Sequence, residues 1–161
     1  MEKMRRVIGF DPGYGRLGFG VLDIVKGNPV YVGCGVLTTP AGADPSMRLL
    51  EIVRDVRVLL EKYQPKELAI ESLFFGKSST TALRVAEVRG VLLYLAAEQG
   101  IPVIEVKPVE IKIALTGYGK AKKPEMQQMI TRVLHLKSVP EPDDAADALA
   151  IAWTGAGKLI L

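Results

Sequence analysis

Twice in this chain an apolar run that reads as a buried strand stops on an acid. Val7-Ile8-Gly9-Phe10 closes on Asp11, with Pro12-Gly13 directly after it, and Leu68-Ala69-Ile70 closes on Glu71. A wholly apolar run this short belongs in the middle of a sheet covered on both faces, which narrows the fold to layered α/β arrangements. An acid at the end of such a strand is unfavourable unless positive charge meets it. A second pair, Asp144 and Asp147, stands three residues apart where the apolar helical stretch Asp143-Asp144-Ala145-Ala146-Asp147-Ala148-Leu149-Ala150-Ile151 begins. Several converging acids ask for a divalent cation, so metal-assisted hydrolysis of a phosphate ester is the expected chemistry.

The rest of the chain supplies the elements around these acids. Residues 5–11 read as a strand, 11–15 as a turn built on Pro12 and Gly13, and 17–25 and 29–38 as two further strands joined around Gly27-Asn28. Asp44 caps a helix with Pro45 in its first turn, and Leu49, Ile52, Val53, Val56, Leu59 and Leu60 form its apolar stripe. After the strand 68–71 comes a loop with Phe74, Phe75 and Lys77, then a long helix from Ser78 or Ser79 to about Gln99. A strand at 102–106 and helices at roughly 108–115, 123–135 and 142–154 complete the chain. The order βββ-α-β-α-β-α-α-α describes a five-stranded mixed sheet, an antiparallel meander continued by parallel strands and flanked by helices. Ligands in such sheets gather at the carboxyl ends of the parallel strands, where Asp11 and Glu71 fall.

At 161 residues the chain predicts a single domain spanning 1–161. Between Lys107 and Lys137 seven bases face two acids, a surplus that suits either a phosphate-contacting face or solvated helix surfaces. The lone Cys34 excludes an internal disulfide and a cysteine-based zinc site, and its apolar strand makes it a small core residue. His135 has no placement for a triad with it. No stretch reaches the length of a membrane span and no signal peptide opens the chain, which predicts a cytoplasmic protein.

Each acid also has a bland explanation. Asp143 and Asp144 complement a helix N-terminus, Glu71 could pair with a base, and Asp11 could form an Asx-turn before Gly13. Asp147 resists that account, since the helix around it is heading into the core. Spacing alone leaves open which of Asp143 and Asp144 shares a face with Asp147. Lys123 begins a helix beside Pro124, where the dipole disfavours an ammonium, and a phosphate ligand would explain the placement. Trp153 lies on the apolar face of the last helix and reads as core.

The segments Ile8-Gly9-Phe10-Asp11-Pro12-Gly13, Ala69-Ile70-Glu71 and Asp144-Ala145-Ala146-Asp147-Ala148-Leu149-Ala150-Ile151-Ala152 together resemble the RuvC-type Holliday-junction resolvases. Lys112 and Lys123 stand between them at matching positions, and Thr81 to Gly90 resembles that family's dimer helix. The resemblance implies an RNase H-like fold and a homodimer that cuts two opposed strands of four-way junction DNA, in company with a branch-migration helicase complex. It implies that Asp11, Glu71, Asp144 and Asp147 hold two Mg²⁺ per subunit, with Mn²⁺ as an alternative. One ion would activate water and the other would stabilise the leaving 3′ oxygen, giving a 5′-phosphate. Lys112 and Lys123 would lie near the scissile phosphate and Phe74 would stack on bases unpaired at the crossover. Lys77, Arg84, Lys120 and Lys122 are further candidates for DNA contact. After the last motif the chain reads Trp153-Thr154-Gly155, where relatives often carry a histidine at the third position, and it lacks the longer tail of some relatives.

Three other readings stand beside this one. The first is an RNase H-like nuclease of the YqgF type acting on RNA, against which the Lys112–Lys123 region argues. The second is a non-catalytic junction-binding protein, disfavoured because unused carboxylates would repel one another. The third is an actin-like ATPase lobe, for which the chain has no second phosphate loop.

Overall fold

The structure, a computed structural model, describes residues 4–13, 15–73 and 79–158. The predicted Phe74 and Lys77 lie outside the described residues. Strands β1 (Arg5–Pro12), β2 (Arg16–Val25) and β3 (Asn28–Thr38) form the antiparallel meander. Helix α1 (Pro45–Tyr63) leads to β4 (Glu67–Glu71), α2 (Ser79–Glu98) to β5 (Val103–Val106), and α3 (Pro108–Thr116), α4 (Lys123–Val133) and α5 (Asp143–Lys158) follow. The sheet order is β3-β2-β1-β4-β5, with β1, β4 and β5 parallel. The five-stranded mixed sheet expected from the element order is therefore present.

Period-two side-chain alternation sends each strand's residues into two separate cores. Ile8, Phe10, Leu68 and Ile70 pack under α1 and α2, together with Ile52, Val56, Leu59 and Leu60 of the α1 stripe. On the opposite face Val7, Leu22 and Ala69 meet Ala146, Leu149 and Ala152 of α5, with Ile111 of α3 and Ile130 of α4 behind them. Cys34 packs half-buried against this second core, as its apolar strand predicts, and Trp153 does the same without being enclosed.

Small residues determine how closely α5 lies on the sheet. A Cβ at Gly9 would stand 2.5 Å from Ala148 O and 2.6 Å from Ala152 N, and one at Gly20 would stand 2.7 Å from Leu149 N. One at Gly18 would overlap the Asp144 carbonyl. With alanines on the helix side, bare backbone faces bare backbone, and the first turn of α5 reaches the carboxyl end of β1. The helix expected over roughly 142–154 continues to Lys158, with Gly155 as a spacer whose Cβ would meet Ala69 Cβ at 2.6 Å. The helix expected over 123–135 ends earlier, at Val133, with His135 beyond it in the left-handed region (φ 54°). No helix among the described residues is long and apolar enough to cross a membrane.

Adding a methyl group where backbones already touch forces the helix away or distorts the strand, at about 1–3 kcal/mol or more. Gly9→Ala is expected to lower unfolding free energy by at least that much in urea. Gly27→Ala in the β2–β3 turn, where nothing approaches and only φ (+79°) is strained, is expected to lower it less.

Candidate active site

The acidic centre is assembled by three elements. Asp11 occupies the carboxyl end of β1, opposite Gly18 of β2 and one residue beyond the Phe10–Ile70 pair that joins β1 to β4. Glu71 ends β4 in the adjacent position. Asp144 and Asp147 come from the first turns of α5, and one carboxylate oxygen from each of Asp11, Asp144 and Asp147 lies within 4.8 Å of the others. Glu71 stands outside that tight group but lines the same cavity, a cleft of about 510 Å³. Lys112, Lys120, Lys122 and Lys123 line it too. Of the two neighbouring acids, Asp144 belongs to this group and Asp143 does not.

Opposite ends of the same strands treat their acids differently. At the amino end of β1, Arg5 pairs with Glu67 at 3.0 Å and Arg6 with Asp23 at 2.7 Å, so each carboxylate has its own guanidinium. At the carboxyl end, among the described residues, Asp11 has no ion-pair partner. Burial pushes its carboxyl up to about 7, helped by the charges of Asp147, Glu71 and Asp144 and only partly opposed by Lys123. Burial also raises Glu71, with Asp147 adding and Lys112 subtracting. Asp147 is raised by burial against the pull of its hydrogen bond from Lys123. Clustered carboxylates that resist ionisation, offering oxygen donors on a solvent-open cleft, suit a divalent cation.

Two cations border this centre. Arg16 Nη1 lies 3.3 Å from Asp144 Oδ2, and Lys123 Nζ lies 2.5 Å from Asp143 and 3.1 Å from Asp147. Carboxylates hold the Lys123 ammonium, which gives its placement at the start of α4 a cause besides the phosphate ligand considered from the sequence. The dipole penalty at the start of α4 and the gain from one exposed ion pair are each about 0.3–1 kcal/mol. One carboxylate would only balance the penalty, and the second makes the placement favourable. Arg16 was not evident in the sequence; its signal is the tight turn before it, whose Gly13 N–H bonds Arg16 O at 2.8 Å and brings β2 back beside Asp11. Arg84, a predicted DNA contact, lies elsewhere: it pairs with Glu87 at 3.1 Å and lines a second cavity with Arg16 and Arg48.

A mixed five-stranded sheet with helices on both faces and acids at the ends of β1, β4 and the start of α5 defines an RNase H-like nuclease. Residues 7–155 match the family model described as crossover junction endodeoxyribonuclease RuvC. The chain belongs to that family. It is 50% identical over 147 residues to the crossover junction endodeoxyribonuclease RuvC of a Roseiflexus species, covering 91% of this chain and 88% of the relative. Its fold superposes on Thermus thermophilus RuvC with a TM-score of 0.88 and 35% identity, covering 96% and 95% of the two chains. It also superposes on Thermus thermophilus RuvC in complex with a Holliday junction substrate, with a TM-score of 0.86, 32% identity and coverage of 97% and 95%.

The proton on Asp11 gives a pH signature to the metal-free protein. Its folded-state pKa of about 7 exceeds the unfolded value of 3.8, so the folded state binds the extra proton and loses stability as pH rises between those values. Asp11→Asn is expected to match wild type near pH 4 and to be the more stable at pH 8, by at most about 4 kcal/mol. Urea unfolding in EDTA at the two pH values measures this. Equal stability at pH 8 would contradict the assigned cost of burying the Asp11 charge among other carboxylates.

Proposed function

We propose that this chain resolves four-way DNA junctions, acting as a homodimer that nicks two opposed strands and leaves 5′-phosphates. The observation that carries the reading is the meeting of Asp11, Asp144 and Asp147 within 4.8 Å in a chain of this family. It is supported by the junction-bound structure of Thermus thermophilus RuvC, whose fold and length this chain matches. Asp11, Glu71, Asp144 and Asp147 would hold two Mg²⁺ per subunit, with Mn²⁺ as an alternative. When bound, the ions supply a lowered pKa for the attacking water and stabilisation of charge on the phosphate and leaving oxygen.

The chain's own residues do the rest. The β1 and β4 strand ends and the first turns of α5 preorganise the carboxylates on rigid elements, so little reorganisation accompanies reaction. Lys112 and Lys123, both lining the cleft, would meet the scissile phosphate. Lys120 and Lys122 extend the positive rim, and Arg84, Lys77 and Phe74 would contact the junction, Phe74 by stacking on an unpaired base. Lys112 also offsets the charge of Glu71. No histidine stands in the cleft, and His135 is far along the chain at an exposed turn. A single cytoplasmic nuclease domain that receives junctions from a branch-migration helicase completes the proposal.

Cleavage of a labelled synthetic four-way junction, compared with linear duplex, in Mg²⁺ and in EDTA tests it. Paired nicks confined to the junction and dependent on Mg²⁺ are expected. Asp11→Asn and Asp147→Asn should each slow cleavage by on the order of 10³-fold, equivalent to several kcal/mol of transition-state stabilisation, while retaining junction binding. Tight binding without cleavage by the wild-type protein would indicate a non-catalytic junction binder. Neither binding nor cleavage would redirect attention to structured RNA.

A further inference from the structure

Asp143 is the first residue of α5 and Lys123 the first residue of α4, and their charges meet at 2.5 Å. Asp143 takes no part in the three-acid group formed by Asp11, Asp144 and Asp147. Its carboxylate is nearly half exposed (48%) and bonds to the ammonium at the rim of the cleft. The same ammonium reaches inward to Asp147 at 3.1 Å. Lys123 is therefore shared between one carboxylate inside the acidic centre and one outside it. Arg16, on Asp144, is a further charged group facing the start of α5.

This sharing bears on what happens when a divalent cation claims Asp147. A lysine is a compact charge on a flexible four-carbon stem. Held by Asp147 alone, it would either compete with the cation for that carboxylate or, once displaced, swing into solvent. With Asp143 as a second anchor it gives up Asp147 and stays in place. We infer that Asp143 is a positioning residue that keeps the Lys123 ammonium beside the acidic centre, so that Lys123 yields Asp147 to a cation and still meets the phosphate of the scissile strand. The inference rests on the junction-cleavage reading for the phosphate, but the coupling between Asp143 and Lys123 can be measured without DNA.

A simpler role for Asp143 is to complement the N-terminal dipole of α5. That role, like a long-range effect of its charge on cation binding, does not involve Lys123 and would persist without it. The test is a double-mutant cycle with two readouts: Mn²⁺ titrated calorimetrically into the metal-free protein, and single-turnover junction cleavage at saturating Mg²⁺. Asp143→Asn is expected to weaken Mn²⁺ binding and slow cleavage by roughly two- to fivefold each, the scale of one exposed ion pair. Asp143→Glu, which keeps the charge, should recover most of both. In a Lys123→Ala background, Asp143→Asn should change either quantity far less. Equal losses in the two backgrounds, or no loss in either, would overturn the positioning role. If the wild-type protein failed to cut junctions, the proposed function would fall, and the Mn²⁺ cycle alone would still decide whether Asp143 holds Lys123.

Discussion

Everything at the cleft depends on how closely α5 can approach the sheet. Gly9, Gly18 and Gly20 leave a shallow trough across β1 and β2, and the alanines of α5 let the helix backbone settle into it. Dispersion between closely packed backbones is weak atom by atom, but it accumulates along the whole length of contact. The geometric result matters more than the energy. A helix held off by side chains would carry Asp144 and Asp147 away from Asp11, and the acids would no longer share a cation-sized space.

The acidic centre is in turn a local electrostatic conflict tolerated by the rest of the fold. Acids at the amino end of the strands are neutralised one for one by Arg5 and Arg6. Asp11 and Glu71 at the carboxyl end are raised by burial and by neighbouring carboxylates, with Lys123 opposing in part at Asp11 and Lys112 at Glu71. The contrast within single strands separates structural ion pairing from functional crowding. Arg16 and Lys123 bind from the two sides of α5's first turns, which leaves the cleft itself open to solvent and substrate.

The parts of this arrangement that were legible in the sequence share a cause. Asp11 and Glu71 stand out because no packing requirement places an acid at the end of an apolar strand, and the element order follows from the periodicity of the runs between turns. The α1 helix was legible from Asp44, Pro45 and its apolar stripe. What escaped depends on tertiary register. Gly9, Gly18 and Gly20 are the contact surface for a helix more than a hundred residues away, which their own strands do not disclose. Arg16 and the sharing of Lys123 follow from which chain ends meet in space, and no local pattern carries that.

The sheet separates two cores that share strands but almost no side chains. One, under α1 and α2, contributes to holding the domain together; the other contains α5 and the cleft. Because alternate residues of the same strand serve different faces, a substitution at Ile8 or Ile70 is felt on the α1–α2 side, while one at Gly9 or Ala69 is felt beneath the chemistry. A change of packing on the α1–α2 side therefore reaches the acids through the backbone of the shared strands rather than through side chains beneath α5. The sheet thus acts as a partition between the packing on one face and the chemistry on the other.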